Sequence, residues 1–162
     1  MDLQEAVIDA YLLMKKHGLI ERGWKIALNN RMSALGLCSF KKRTIFLSRP
    51  YIEANEWSEV KDTVLHELAH FFSPPYYDTV SNRIVSHHYE WKKKCIELGA
   101  RPERCAVRAK RPEAKYISIC PTCGKKWWVN RKGKNFNFYI CTCKTPLIFV
   151  ENKNACHSAN NC

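Results

Sequence analysis

The sequence predicts an α+β fold: helices packed on a small antiparallel sheet, followed by a short cysteine-bearing ribbon. Three observations carry this. Apolar residues recur at helical spacing near the start, before residue 72 and before residue 99, while alternating, β-rich runs fall between residues 24 and 47. Four of the nine cysteines stand as two close pairs in the last third. A chain of 162 residues suits one domain with a sizeable core and a small appendage.

The elements follow in order. Leu3, Val7, Ala10, Tyr11 and Met14 predict a helix over 3 to 17, stopped by Gly18. Trp24, Ile26 and Leu28 alternate as a strand. Asn29-Asn30 offers a turn into a second strand near Met32 to Phe40, and after a basic turn at Lys41 to Arg43 the run Thr44 to Leu47 makes a third, giving a sheet of local hairpins. Past Arg49-Pro50, Asn55 is the expected N-cap of a helix with the stripe Val60, Val64, Leu68 and Phe71, ended by Pro74-Pro75. Residues 73 to 86 read as a connection. From about Ser86, Trp91, Cys95 and Leu98 mark a helix closed by Gly99. The expected organisation is a core over 1 to 100, a basic linker over 101 to 115, a ribbon over 116 to 150 and a disordered tail over 151 to 162.

The second of these helices carries His66-Glu67-Leu68-Ala69-His70. Residues i and i+4 lie about 40° apart around a helix axis, so His66 and His70 can aim at one ion, with Glu67 beside them to work on a water. A catalytic zinc needs a third protein ligand and an open position. His87 and His88 are the candidates downstream, and spacing does not choose between them. With zinc supplying an activated water near neutral pH, Glu67 is the expected proton acceptor and donor, the signature of a metallopeptidase. Tyr76, Tyr77 and Tyr89 are candidates for helping an oxyanion.

Cys120-Pro-Thr-Cys123-Gly and Cys141-Thr-Cys143 enclose a stretch that reads as a hairpin, Lys126 to Arg131 and Asn135 to Ile140 around Lys132-Gly133. Four thiolates would hold a structural zinc, giving a segment this small the folding energy that its own core lacks. The second pair is one residue tighter than usual. Cys38, Cys95 and Cys105 read as buried or free thiols, and Cys156, His157 and Cys162 as tail residues without an assigned site.

The charge is segregated. Residues 1 to 90 balance 11 Lys and Arg against 11 Asp and Glu, whereas residues 91 to 134 carry 14 against 3. A local excess of this kind suits a polyanion, and nucleic acid is the expected one, because no amphipathic anchor accompanies it for a membrane. The expected contacts are Arg108, Lys110 and Arg111, then Lys125, Lys126, Trp127 and Trp128, then Arg131, Lys132 and Lys134. Basic residues interleaved with aromatics suit single-stranded DNA. Phe136 and Phe138 read as hairpin packing. Arg101 and Arg104 begin the same basic run. No signal-like segment or apolar run of about 20 residues is seen, and the odd cysteine count fits a reducing compartment. An intracellular location is expected: cytoplasmic in a bacterium or phage, nuclear in a eukaryote.

The run from Trp24 through "TIFLS" at 44 to 48, "TVLHELAHFF" at 63 to 72 and "HHYEW" at 87 to 91 resembles the SprT-like metalloprotease family, including its Spartan branch. The resemblance extends over about residues 1 to 150, since bacterial-type members often carry a C-terminal zinc ribbon. It implies a zincin-like core. The family's His-Gly-x-x-aromatic signature, aligned on Trp91, implies His87 as the third ligand, with His88 in place of the family glycine. It further implies a zinc endopeptidase, with one catalytic and one structural zinc, that acts on proteins bound or crosslinked to DNA. The alternative is a non-catalytic nucleic-acid-binding zinc protein of transcription or genome maintenance.

Overall fold

The computed structural model describes residues 2 to 104, 108 to 130 and 139 to 152. The chain forms two compact units, Met1–Arg111 and Pro112–Cys162. The expected linker is thus divided: in the first unit, Arg101 and Lys110 are tied back to the helices by hydrogen bonds described below.

Helix α1, Leu3–Lys16, starts where the Asp2 carboxylate accepts the amides of Gln4 and Glu5, at 2.8 and 3.0 Å. It ends at His17, after which Gly18 turns the chain at φ +74°. Its buried stripe is Ala6, Ala10 and Met14, one residue from every turn, so two methyl groups bring its backbone close to the core. Tyr11, expected on that stripe, is exposed.

The sheet differs from the one expected. Strands β1 (Lys25–Asn29), β2 (Gly36–Ser39) and β3 (Thr44–Ser48) lie in the order β1-β3-β2, with β1 parallel to β3 and only β2–β3 an antiparallel hairpin. Asn29 makes no hairpin turn; its side chain accepts the Arg31 amide at 2.9 Å and releases the chain toward a crossover. The most deeply buried strand wins the centre. In β3, Ile45, Leu47 and Ser48 are all but inaccessible, and a central position satisfies both its edges. β2 is left at the sheet edge, next to the helix that carries the histidines.

Two further elements were not expected. Pro50 sits in the first turn of a short helix α2, Arg49–Ala54, where proline is tolerated. The connection after Pro75 contains a hairpin, β4 (Tyr76–Asp78) with β5 (Arg83–Val85). Asn55 does not cap the next helix. It ends α2, donating its amide to the carbonyls of Tyr51 (2.8 Å) and Lys110 (2.9 Å) and accepting the Lys110 amide at 2.7 Å. With both ends of its amide so engaged, α3 (Trp57–Phe72) begins at Glu56 without a side-chain cap.

α3 buries Val60, Val64 and Leu68 against α1 and the sheet, and packs on α4 (Tyr89–Leu98). Gly99, at φ +81°, closes α4, and the amide of Ala100 returns to the Cys95 carbonyl at 2.8 Å. Arg101 then donates from its amide (2.9 Å) and Nε (3.0 Å) to Asp62, and from Nη2 to Glu59 at 2.6 Å. Both acids lie on α3, one turn apart, so a bidentate, half-buried cation staples the chain after α4 to α3.

In the second unit, β6 (Tyr116–Ile119) is flanked by β7 (Lys126–Val129) and β8 (Ile148–Glu151), both antiparallel. β7 lies within the expected hairpin, but among the described residues its partner is β6. Residues 131 to 138 lie outside the described residues, as does the tail from 153.

Candidate metal centres

Helix α3 presents His66 and His70 with ring centroids 5.0 Å apart. His87 arrives from the segment between β5 and α4, its ring 5.4 Å from His66 and 4.9 Å from His70. The three histidines each offer a ligand nitrogen, all within 4.8 Å of one another, and Nε2 of His66 stands 3.4 Å from Nε2 of His87. Two nitrogens at zinc distance in a tetrahedral shell stand about 3.4 Å apart. The geometry fits zinc.

His88 faces elsewhere. Its Nε2 meets the Pro74 carbonyl at 3.2 Å and its Nδ1 the Glu90 carboxylate at 2.8 Å, which ties the end of α3 to the start of α4. The adjacent imidazoles are thus divided: His87 joins the cluster and His88 fastens the loop. Ser86, which the sequence did not single out, holds His87 Nδ1 at 3.0 Å.

Trp91 forms the floor. Wholly buried, it stacks on His70 at 5.2 Å and meets His66 and His87 edge-on at 4.8 and 4.5 Å. This dry wall keeps the imidazoles unprotonated. Burial lowers His66 to about 4 and His70 to about 3, each helped by its histidine neighbours, and lowers His87 as well. Neutral nitrogens are what a cation requires. Nδ1 of His70 is buried without a hydrogen-bond partner among the described residues, as is Nε1 of Trp91.

Glu67 is 6% exposed, and burial raises its carboxyl to about 8 against the opposing hydrogen bond from the Cys38 amide. Its place depends on Gly36. A β-carbon there would stand 2.8 Å from Glu67 Oε1 and 2.9 Å from Thr63 Cγ2, so the absent side chain lets edge strand β2 close on α3. Gly36 and Cys38, two apart on one strand, thus serve the carboxylate by a missing atom and an amide. No local pattern marks either role, because Glu67 is distant in sequence. Of the tyrosines, Tyr77 bonds Asn82, Tyr76 packs on the His88 ring at 5.1 Å, and Tyr89 is exposed.

The second cluster joins Cys120, Cys123, Cys141 and Cys143, all sulfurs within 4.8 Å. Cys120 Sγ is 3.4 Å from Cys143 Sγ, and Cys123 Sγ is 3.5 Å from Cys141 Sγ. Gly124, at φ +71°, closes the first knuckle by donating to the Cys120 carbonyl at 2.9 Å, and the Cys123 amide faces Cys120 Sγ at 3.5 Å. Lys144 takes the corresponding left-handed position, φ +63°, after the second pair. That lets a spacing of one residue still converge. Backbone amides lower Cys120, through Cys123, and bring Cys141 to about 6, through Cys143. Cys123 stays up at about 11, because thiol contacts outweigh the Lys125 amide. Four crowded thiols cannot all ionise alone; a dication of zinc's softness fits them. Cys38 and Cys95 are free thiols pushed up to about 12 by burial, and Cys105 lies outside the described residues.

The basic candidates are spread over both units. Arg108, Lys110 and Arg111 are exposed in the first, where Arg111 lines a cavity beside Glu67. Arg101 is taken by its two carboxylates. In the second, Lys125, Lys126, Trp127 and Trp128 are exposed, and strand alternation puts Lys126 and Trp128 on one face of β7. Arg131, Lys132, Lys134, Phe136 and Phe138 lie outside the described residues. No helix among the described residues is long and apolar enough to cross a membrane.

A helix-borne histidine pair and a third histidine from the next segment form a group that could hold a metal ion, with a buried carboxyl beside it. The model of the SprT-like family matches residues 5 to 111, two thirds of the chain and nearly all of the first unit. The chain belongs to the SprT-like family. A search of curated proteins found no match.

Proposed function

We propose that this protein is a zinc-dependent endopeptidase that acts on proteins bound or crosslinked to DNA. The observation that carries the peptidase reading is the convergence of three neutral imidazoles beside a buried, hydrogen-bonded Glu67. His66, His70 and His87 would hold the ion, which when bound supplies Lewis acidity toward a water and the scissile carbonyl. Glu67 would take the proton from the attacking water and return it to the leaving amine, starting from the ionised form that a cation beside it would favour. Cys38 and Gly36 hold that carboxyl in place. Trp91 and Ser86 orient the ligands and exclude water from behind them.

The DNA part rests on the charge of residues 91 to 134 and on the exposed Lys125, Lys126 and Trp128 beside the four-cysteine cluster. Cations track phosphates while an aromatic stacks on a base, and a DNA-bound peptidase meets DNA-bound substrates at raised local concentration. The test is cleavage of a protein crosslinked to single-stranded DNA. Wild type is expected to cut it, faster than the same protein free of DNA, and Glu67→Gln to lose cleavage while keeping DNA affinity. Equal cleavage with and without DNA would leave a peptidase that DNA does not direct. No cleavage by either protein, each loaded with two zinc ions, would favour the non-catalytic nucleic-acid-binding alternative.

A further inference from the structure

A cavity of about 210 Å³ opens beside the histidine centre, between the segment leading into β2 and the chain that follows α4. It is smaller than the roughly 300–1,000 Å³ of small-molecule sites and suits a single side chain. Its lining includes the small Ala34 and Gly36, His66 and Glu67 from the histidine centre, and the cations Arg104 and Arg111. Described neighbours of both arginines are anchored: Arg101 is stapled to Asp62 and Glu59, and Lys110 is clamped by Asn55 on both its amide and its carbonyl.

The charges decide what fits. Among the described residues neither Arg104 nor Arg111 is in an ion pair. Against them stand Glu103, and Asp62, which Arg101 already neutralises. Glu67 belongs to the histidine centre, where the histidine-held cation would offset it. The balance of the lining is positive, and a recess with low-dielectric walls concentrates that field.

We propose that this cavity is a substrate subsite for an acidic side chain, Asp or Glu, read by Arg104 and Arg111. The inference deepens the peptidase reading and rests on it. The substrate class is then a polypeptide with a carboxylate next to the bond to be cut, held by the guanidinium groups of Arg104 and Arg111.

The test uses the full chain carrying Glu67→Gln, loaded with zinc, and labelled Ala/Gly octapeptides with a central Glu, Lys or Ala, each with a free or an amidated C-terminus. By fluorescence anisotropy the Glu peptide is expected to bind at least about tenfold tighter than the Lys peptide, amidated or not. In that background Arg104→Glu with Arg111→Glu should reverse the order, and Arg104→Ala with Arg111→Ala should level it. Equal affinities in the parent, or a preference untouched by either pair, would overturn the proposal. So would a preference that follows the free C-terminus. A dT oligonucleotide that displaces the Glu peptide, and fails to bind once both arginines are alanine, would assign them to phosphate instead. Cleavage by the wild-type chain is read separately: binding preference without cleavage would sink the peptidase reading and leave the subsite standing.

Discussion

The two candidate metal centres differ in what surrounds their ligands. In the first unit the ligands are three neutral imidazoles on a scaffold that has its own core: Met14, Leu19, Ile45, Leu47, Leu68 and Trp91 are fully or almost fully buried without reference to any metal. In the second, the buried apolar side chains among the described residues are Ala114, Cys120 and Cys141, two of which are themselves cluster members. The contrast predicts that the first site rests on its fold and that the second fold rests on its site. Three ligands leave a coordination position open for chemistry, and four thiolates close the shell.

The sharpest way to break this comparison is to remove metal. A chelator, or Cys120→Ser, is expected to abolish ordered structure in the second unit, since structural zinc supplies about 10–16 kcal/mol of apparent binding energy. Hydrogen exchange should show the β6–β8 amides unprotected while α1 and α3 keep their protection. Full protection of β6–β8 after chelation would show that the ribbon does not need its cluster. His87→Ala is the matching perturbation of the first unit: one zinc per chain lost by metal analysis, β3 and α3 still protected, and cleavage gone. His88→Ala should keep two.

The floor comes next. Trp91→Ala removes the ring that touches all three histidines, at an expected cost of about 3–5 kcal/mol measured by denaturant unfolding. A cost under 1 kcal/mol would mean that the ring is not the support of the centre. Gly36→Ala is smaller, about 1–3 kcal/mol, because a single β-carbon must push β2 from Glu67 and Thr63. Cleavage should fall more than stability does, since the clash falls on the carboxyl that moves the proton.

The smallest effect is one of pH. His66 and His70 are held below their ordinary value of 6.5, to about 4 and about 3, so these two imidazoles bind fewer protons in the folded, metal-free unit than in the unfolded chain, while Glu67, raised to about 8, works in the opposite direction. The histidine contribution is therefore undiminished above pH 6.5 and declines as pH falls through the folded values, and the two imidazoles outweigh the one carboxyl at pH 5. Thermal unfolding of the metal-free protein at pH 7 and pH 5 reads this, with the lower melting temperature expected at pH 5 unless the imidazoles protonate freely in the fold.

What was legible in the sequence was local. Helical period alone sets His66, Glu67 and His70 on one helix and marks α1 and α4, and Cys-x-x-Cys-Gly announces a knuckle. Other features depended on partners far along the chain. The parallel pairing of β1 with β3 arises because β3 is the most deeply buried strand, and no turn signal encodes it. Asn55 looks like a helix cap until Lys110 takes its side chain, and Arg101 looks like a phosphate contact until Glu59 and Asp62 take its guanidinium. His87 and His88 are indistinguishable by spacing; the Pro74 carbonyl, which occupies one of them, separates them.

The division of labour is tested most directly by measuring zinc content and cleavage together on the wild-type chain and on Glu67→Gln. Two zinc ions in each, with cleavage of a DNA-crosslinked protein falling by about 10²–10⁴-fold in the variant, is the predicted result. Two zinc ions in each and equal cleavage would remove Glu67 from the chemistry and contradict the account of the first centre.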